Sequence, residues 1–179
     1  GYLENPRELL FIDMDGVLAD AEARMREWSD KLGIDVDTLF KTKFYHTPGF
    51  YADLPPMENA VEAFKLLSQK YEVYILSAPS CENPSCYTDK RLWVEKFLGE
   101  AGYKRLILTN DKIHIVNLGN LHSYIIEESN LVLTNEIHDL KDVNQKFITN
   151  VDGVRRLGGV LKTNGAIGFK KFKNYPNPD

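Results

Sequence analysis

The chain has 179 residues, of which 43% are hydrophobic and 27% are charged, and its net charge is −4. This length and composition are typical of one globular domain with a buried core, and they exclude an intrinsically disordered chain. No apolar run approaches the ~18 residues that cross a bilayer, and no signal-peptide pattern is visible at the N-terminus. We therefore expect no membrane partner and a cytoplasmic location.

The charge balance and the cysteines exclude further classes of function. The chain has 22 lysines and arginines against 26 aspartates and glutamates, which disfavours binding of long nucleic acid. Cys81 and Cys86 are too few for a disulfide framework or a four-cysteine zinc site, and we expect two reduced loop thiols. The C-terminal part is predicted to be loop-rich, with lysines at 162, 170, 171 and 173 on a solvated face.

Short apolar runs alternate with helical periodicity along the chain. Strands are predicted at 9–12, 73–76, 106–108 and 124–126. Helices are predicted from Ala21 to a stop at Gly33, around Ala60, Phe64 and Leu67, around Val94, Phe97, Leu98 and Ala101, and around Ile137, Leu140 and Phe147. Residues 34–58 are predicted to be irregular. The alternation indicates an α/β fold with a parallel sheet.

The residues after the first predicted strand carry the strongest chemical signal. Asp13 and Asp15 place two carboxylates directly after a buried apolar run, where like charges repel unless a cation lies between them. Gly16 lets the backbone turn sharply and bring amide groups near a ligand. Ligands of open α/β sheets bind beyond the carboxyl ends of the strands. We interpret the pair as a cation site, and a helix N-cap with an acidic neighbour is the alternative.

Other polar residues fall at predicted strand ends or helix starts. Ser77 ends the second strand and offers a hydroxyl in a rigid turn, although an ordinary turn would look the same. Lys90 is predicted at a helix start, where its charge opposes the helix dipole unless an anion offsets it; a surface lysine is the alternative. Glu127 and Glu128 follow the fourth strand. Together these residues are typical of Mg²⁺-assisted phosphoryl transfer.

Five segments carry a resemblance to a known family. They are 13–20 (DMDGVLAD), 48–51 (PGFY) with Leu54 and Pro56, 77–79 (SAP), 90–99 (KRLWVEKFLG) and 108–112 (LTNDK). In this order and spacing they resemble the haloacid dehalogenase-like (HAD) phosphatases, and among them the 5′(3′)-deoxyribonucleotidases. The resemblance covers about residues 9–112. It implies a HAD-like Rossmannoid parallel sheet flanked by helices in one domain, residues 1–179, with residues 19–58 as a small helical cap after the first strand.

The resemblance also implies roles for single residues in the reaction. Asp13 would be the nucleophile that forms an aspartyl-phosphate, and Asp15 would protonate the leaving oxygen and then deprotonate water. Mg²⁺ would bind the Asp13 carboxylate and the Asp15 backbone carbonyl. The phosphate contacts would be Ser77, Ala78, Lys90, Met14 and Gly16.

Four aromatic residues of the implied cap are candidates for contact with a base. Phe50 and Tyr51, with Phe44 and Tyr45 behind them, could stack on it. The alternative for each of these residues is packing in the core of the cap. A base needs an exposed aromatic face at the cleft, so exposure distinguishes the two.

The sequence departs from the family pattern at two motifs. The family has Thr-Ser-Pro where this chain has Ser77-Ala78-Pro79, so one phosphate donor is in doubt. The family has Asp-Asp-Arg where this chain has Glu127-Glu128-Ser129. We favour Glu127 and Glu128 as the remaining metal ligands, and Asp152 is the alternative if residues 113–146 contain an insertion.

Three functions follow as hypotheses. The first is a Mg²⁺-dependent phosphatase of (deoxy)nucleoside monophosphates, and the second is the same chemistry on a non-nucleotide phosphate ester. The third is a non-catalytic phosphate- or nucleotide-binding module whose altered acidic motif has lost the metal geometry. A small-molecule phosphate ester is the expected partner in the first two, and a homodimer is an open alternative for the oligomeric state.

Overall fold

The first strand lies at the centre of a parallel sheet. The computed structural model describes residues 9–112 and, beyond them, five separate strands. Strand β1 (Leu9–Ile12) pairs in parallel with β2 (Glu72–Ser77) on one side and with β4 (Ser123–Ile126) on the other. An apolar run buried on both faces suits this central position, and Leu10 and Ile12 are fully buried.

Two further strands extend the parallel sheet, and a third strand forms one edge and runs in the opposite direction. Strand β3 (Leu106–Leu108) pairs in parallel with β2, and β7 (Arg155–Leu157) pairs in parallel with β4. Strand β6 (Phe147–Thr149) pairs antiparallel with β7 at the edge. The order is β3-β2-β1-β4-β7-β6, and β5 (Ser129–Leu133) forms a separate antiparallel pair with β8 (Ile167–Lys171).

Two helices lie in the segment between β1 and β2 that we call the inserted segment, residues 19–58. Helix α1 (Ala21–Leu32) begins where the Asp20 carboxylate accepts a hydrogen bond from the Ala23 amide. It ends at Gly33, whose φ of 66° is a left-handed conformation that glycine adopts without strain. Helix α2 (Val36–Lys41) and a 3-10 helix (Phe44–His46) follow.

Two more helices pack against the sheet. Helix α3 (Ala60–Lys70) leads into β2, and α4 (Cys86–Leu98) leads through a second 3-10 helix (Gly99–Gly102) into β3. Their buried side chains join those of β1 and of the inserted segment in one apolar cluster, which includes Phe64, Trp93, Leu10 and Met25. None of the helices within residues 9–112 is long and apolar enough to cross a membrane.

The sequence predicted most of this architecture. The α/β class, the parallel sheet, the four predicted strands and the helices from Ala21 and Ala60 are confirmed. The prediction that residues 34–58 are irregular was wrong over Val36–Lys41 and Phe44–His46 and correct for most of the other positions. The Asp35 carboxylate caps the first of these helices by accepting a hydrogen bond from the Thr38 amide. The prediction for Lys90 also changes, since α4 begins at Cys86 and the lysine lies in its second turn.

Several predictions for the C-terminal part of the chain were wrong. Phe147 begins β6 instead of ending a helix, and the rest of that predicted helix lies outside the described residues. The sheet is not purely parallel, because β6 runs against β7. Lys170 and Lys171, expected in a loop, belong to β8. These strands are short and lack a long apolar run, so their sequences give little strand signal.

Candidate active site

A tight turn after β1 presents two carboxylates at the edge of the sheet. The Met14 carbonyl accepts hydrogen bonds from the amides of Val17, Leu18 and Ala19 at 2.9–3.2 Å, which closes the turn. Gly16 adopts φ 79°, which allows this reversal with little strain. Asp13 and Asp15 are therefore fixed on the same turn at the carboxyl edge of the sheet, where ligands of this architecture bind.

Asp13 is oriented by a lysine from a distant part of the chain. Asp13 Oδ1 accepts a hydrogen bond from the Met14 amide at 2.8 Å and another from Lys112 Nζ at 2.9 Å. Both side chains are about four-fifths buried, so solvent screens this pair less than an exposed one. The ammonium therefore places positive charge beside the carboxylate that the family resemblance implies as the nucleophile.

Lys90 lies beneath the other carboxylate and is completely buried. Its ammonium donates to Asp15 Oδ2 at 2.8 Å, to Ser77 Oγ at 2.7 Å and to the Ala78 carbonyl at 3.1 Å. An ammonium has three protons and no acceptor, so these three contacts use its full donor capacity. The burial excludes the surface-lysine alternative for Lys90.

Two consequences follow for the groups around Lys90. Because Ser77 Oγ accepts from the ammonium, the hydroxyl keeps its own proton to donate to another acceptor. Asp15 Oδ1 is buried and receives no hydrogen bond from any residue that the structure describes. A buried carboxyl oxygen in this state is suited to carry a proton or to receive one from a ligand.

The aromatic residues of the inserted segment divide into buried and accessible ones. The Phe50 ring is 2% exposed and packs edge to face against Trp28 and Tyr51, with ring centroids 5.3 and 4.9 Å apart. Tyr51 is also buried, and its ring centroid lies 4.8 Å from Lys90 Nζ. Burial, followed by the nearby Asp15 charge, raises the pKa of the Tyr51 hydroxyl above its ordinary value. The phenol therefore stays protonated at neutral pH.

Phe44 and Tyr45 are only half-buried. Phe44 packs against Trp28 and Tyr45 against Phe40, with ring centroids 5.4 and 5.9 Å apart. Of the four aromatic candidates, these two keep some exposed ring surface, whereas the burial of Phe50 favours the packing alternative for that residue.

The structure brings together most of the predicted site residues from the first half of the chain. Those around the two carboxylates are Asp13, Met14, Asp15, Gly16, Ser77, Ala78 and Lys90. Glu127, Glu128 and Asp152 lie outside the described residues. Cys81 and Cys86 are both free, but Cys86 is buried and begins α4 instead of lying in a loop.

Lys112 belongs to the resembling segment 108–112, but the sequence predicted no role for it, and its contact with Asp13 is new from the structure. The sequence signal that could have found it is a lysine four positions beyond the end of β3, at the same edge of the sheet as Asp13. The register supports this position, because Leu108 pairs with Ser77 and the Thr109 amide donates to the Ser77 carbonyl at 3.0 Å.

Comparison with known proteins identifies the family. The model of the family described as 5′ nucleotidase, deoxy (pyrimidine), cytosolic type C protein matches residues 34–130, which is more than half of the chain. The chain belongs to this family of 5′(3′)-deoxyribonucleotidases. The resemblance and the enzyme class expected from the sequence, a phosphoric monoester hydrolase, are thereby confirmed at the level of the family.

Individual relatives of this chain carry the name of the same nucleotidase family. A Vibrio phage KVP40 protein provisionally named 5′(3′)-deoxyribonucleotidase is 37% identical over 122 residues, 68% of this chain and 66% of that protein. The human 5′(3′)-deoxyribonucleotidase, cytosolic type, is 30% identical over 137 residues, 63% of this chain and 67% of that protein. The chain thus spans about two thirds of the length of these relatives. The cytoplasmic location of this chain stays a prediction.

Among solved structures, a haloacid dehalogenase-like family hydrolase from Streptococcus pneumoniae is similar, with a TM-score of 0.45 and 11% identity. The similarity covers 68% of this chain and 76% of that one. The assignment of the nucleotidase family rests on the sequence matches and not on this similarity.

Proposed function

We propose that this chain hydrolyses (deoxy)nucleoside monophosphates through an aspartyl-phosphate on Asp13. The observation that carries the proposal is the pairing of each carboxylate with its own lysine, Asp13 with Lys112 at 2.9 Å and Asp15 with Lys90 at 2.8 Å. Two carboxylates in different surroundings can serve as nucleophile and as proton carrier. Membership of the nucleotidase family supports the substrate class.

The donor atoms around Asp13 fit a hard divalent cation. The Asp13 carboxylate and the Asp15 backbone carbonyl are oxygen ligands of the kind that Mg²⁺ prefers. Within residues 9–112 no group of three histidine, cysteine or acidic side chains forms a metal site, so a third protein ligand would lie outside this range, and water would complete the coordination. We propose Glu127 or Glu128, because β4 ends at Ile126, which pairs with Ile12 of β1. When bound, Mg²⁺ would neutralise charge on the phosphoryl group.

In the first step the Asp13 carboxylate attacks the phosphorus atom. A bond forms between an Asp13 oxygen and phosphorus while the bond from phosphorus to the nucleoside oxygen breaks. Asp15 gives its proton to that leaving oxygen, and Oδ1 is the atom suited to carry it, because Oδ2 accepts from Lys90. The Lys112 ammonium and the Ser77 hydroxyl offset the negative charge of the transferring group.

In the second step water breaks the aspartyl-phosphate. Asp15, now deprotonated, takes a proton from water as the water oxygen bonds to phosphorus. The bond between phosphorus and Asp13 breaks, which releases inorganic phosphate and restores both side chains. Lys90 keeps Asp15 in the same orientation through both steps, since its ammonium is also held by Ser77 and by the Ala78 carbonyl.

The test of this function is the Asp13→Asn variant. An amide is nearly isosteric and still accepts from Lys112 and from the Met14 amide, but it is not a nucleophile. We expect phosphate release from a panel of deoxynucleoside monophosphates to fall by several orders of magnitude with the circular dichroism spectrum unchanged. Asp53→Asn is the matched control, because Asp53 is exposed and pairs with Lys96. Retention of more than a tenth of the wild-type rate by Asp13→Asn would contradict the proposal.

The burial of Phe50 and Tyr51 favours a second candidate, the same chemistry on a non-nucleotide phosphate ester. A base cannot stack on a ring whose faces are already covered by other side chains. Catalytic efficiency with nucleoside monophosphates and with glycerol 2-phosphate separates the two candidates. The nucleotide substrate class would be wrong if glycerol 2-phosphate is hydrolysed as efficiently as every nucleotide tested.

A further inference from the structure

A histidine of the inserted segment joins it to the loop that follows Ser77. His46 Nδ1 is hydrogen-bonded to Ser80 Oγ, and His46 Nε2 lies 3.3 Å from Glu82 Oε2. The loop of residues 78–85 connects β2 with α4, and both of these elements contribute to the site, through Ser77 and Lys90. The imidazole therefore links the inserted segment to the loop of residues 78–85, which lies beside the predicted phosphate contacts.

Backbone contacts on both sides of His46 hold the imidazole in place. Asn83 is buried, and its side-chain amide donates to the carbonyls of Tyr45 and Thr47 at 3.1 and 2.9 Å. The Gly49 amide donates to Ser85 Oγ at 2.9 Å. Because the residues before and after His46 are both tied to the 78–85 loop, the ring has little freedom to leave Ser80.

The two nitrogens of the His46 ring have different partners, and the two contacts differ in how much they stabilise the structure. Ser80 is 8% exposed, so a hydroxyl left without its partner there would lose a hydrogen bond that little water can replace. Glu82 is 74% exposed, and an ion pair with such a side chain contributes little. Of the two contacts of the imidazole, the one from Nδ1 to Ser80 therefore contributes more to holding the 3-10 helix beside the 78–85 loop, in addition to the main-chain contacts.

We propose that His46 is a positioning residue that, through Ser80, holds the inserted segment against the 78–85 loop and thereby sets the affinity for the nucleoside part of the substrate. This inference rests on the proposed function, because its substrate is the nucleoside monophosphate named there. Phe44 and Tyr45, the accessible aromatic candidates, directly precede His46 and share its 3-10 helix. A shift of that helix moves these rings relative to the phosphate contacts, whereas the contacts of Lys90 and Lys112 with the two aspartates stay as they are.

The experiment compares two amides at position 46. The amide of His46→Asn reaches about as far as Nδ1 and can keep the bond to Ser80, whereas that of His46→Gln reaches about as far as Nε2 and keeps only Glu82. We expect His46→Gln and Ser80→Ala to raise KM for a deoxynucleoside monophosphate about fivefold, the value of one ordinary hydrogen bond, with kcat within twofold. His46→Asn and Glu82→Gln should stay within twofold of the wild type in KM.

Two controls separate positioning from general stability. KM for glycerol 2-phosphate, which has no base, should be unchanged in all four variants. Amide hydrogen exchange over residues 44–51 should be faster in His46→Gln and Ser80→Ala than in the wild type and in His46→Asn.

Three outcomes would overturn the inference. One is unchanged exchange in His46→Gln, and another is an equal rise in KM for both substrates. The third is a His46→Asn variant that behaves like His46→Gln. If the wild type releases no phosphate from nucleoside monophosphates, the proposed function fails, and the exchange of residues 44–51 still decides whether His46 positions the segment.

Discussion

Lys90 Nζ and Asp15 Oδ2 lie 2.8 Å apart although 75 positions separate the two residues in the sequence. The lysine side chain is completely buried and that of Asp15 is 29% exposed, so the ion pair joins the core to the cleft. A buried ammonium is costly unless several acceptors compensate for lost water, and here Asp15, Ser77 and the Ala78 carbonyl do so. The same contacts that stabilise the lysine thus orient Asp15, the proposed proton carrier.

Replacing Lys90 by methionine should keep most of its volume and remove its charge. We expect kcat/KM to fall ~100-fold or more, because a fixed electrostatic group in a water-poor site is lost. Inhibition by inorganic phosphate should weaken as well. Lys96→Met is the matched control, since Lys96 lies on the same helix, is exposed and pairs with Asp53. An unchanged kcat/KM in Lys90→Met would show that the contact of Lys90 with Asp15 is only structural.

The Asp15→Asn variant should depend on the leaving group. A general acid contributes roughly 10²–10⁴-fold when the leaving oxygen needs a proton, and much less when the leaving group is a stable anion. We therefore expect a far larger loss with a nucleoside monophosphate than with p-nitrophenyl phosphate, measured as phosphate release. Equal losses with both substrates would argue against the proton-carrying role of Asp15.

Lys112→Met should lower kcat more than it raises KM. The ammonium contacts Asp13 Oδ1 at 2.9 Å, so its charge acts where the proposed aspartyl-phosphate bond would form. We expect a fall in kcat on the order of 10²-fold, measured under saturating substrate. Lys65→Met on the exposed side of α3 serves as the control and should match the wild type. A Lys112→Met variant with wild-type kcat would show that the contact with Asp13 is only structural.

Removing divalent metal should abolish turnover, and adding it back should restore it. A glutamate carries its carboxylate one methylene farther from the backbone than aspartate, so Mn²⁺, which is larger than Mg²⁺, should restore activity at least as well. Glu127→Gln, Glu128→Gln and Asp152→Asn identify the acidic ligand by the metal concentration that gives half-maximal activity. If only Asp152→Asn raises that concentration, the placement at Glu127 and Glu128 is wrong.

The elements that the sequence predicted well are those with a strong local signal. The run of four apolar residues in β1 can only be satisfied by burial on both faces, and Gly33 ends α1 in a conformation that suits glycine. Asp13 and Asp15 were predicted as site residues because charge directly after a buried strand is costly, and their functional roles stay predictions. Helix α2 has six residues, too few to show periodicity, and was missed.

The contacts that complete the site could not be predicted from local pattern. Lys112 lies 99 positions from Asp13, and its position four residues beyond β3 indicates the edge of the sheet but does not identify Asp13 as its partner. The burial of Phe50 depends on Trp28, which approaches from α1 and carries no signal for that partner. The distinction between a stacking ring and a packing ring is set by tertiary contacts.

Residues 45–54 of the inserted segment are held largely through their main chain. Arg24 donates to the carbonyls of Gly49, Phe50 and Ala52, and the Trp93 indole donates to that of Leu54. Together with the two carbonyls bound by Asn83, six carbonyls between positions 45 and 54 accept from side chains elsewhere.

A carbonyl is present whatever residue occupies a position, so this anchoring does not constrain the identity of the accessible side chains. Tyr45 and Thr47 can therefore vary while the path of the chain is kept. We expect a combinatorial library at these two positions to retain the wild-type melting temperature in most members while their substrate preference diverges, which would make this stretch a starting point for engineered selectivity.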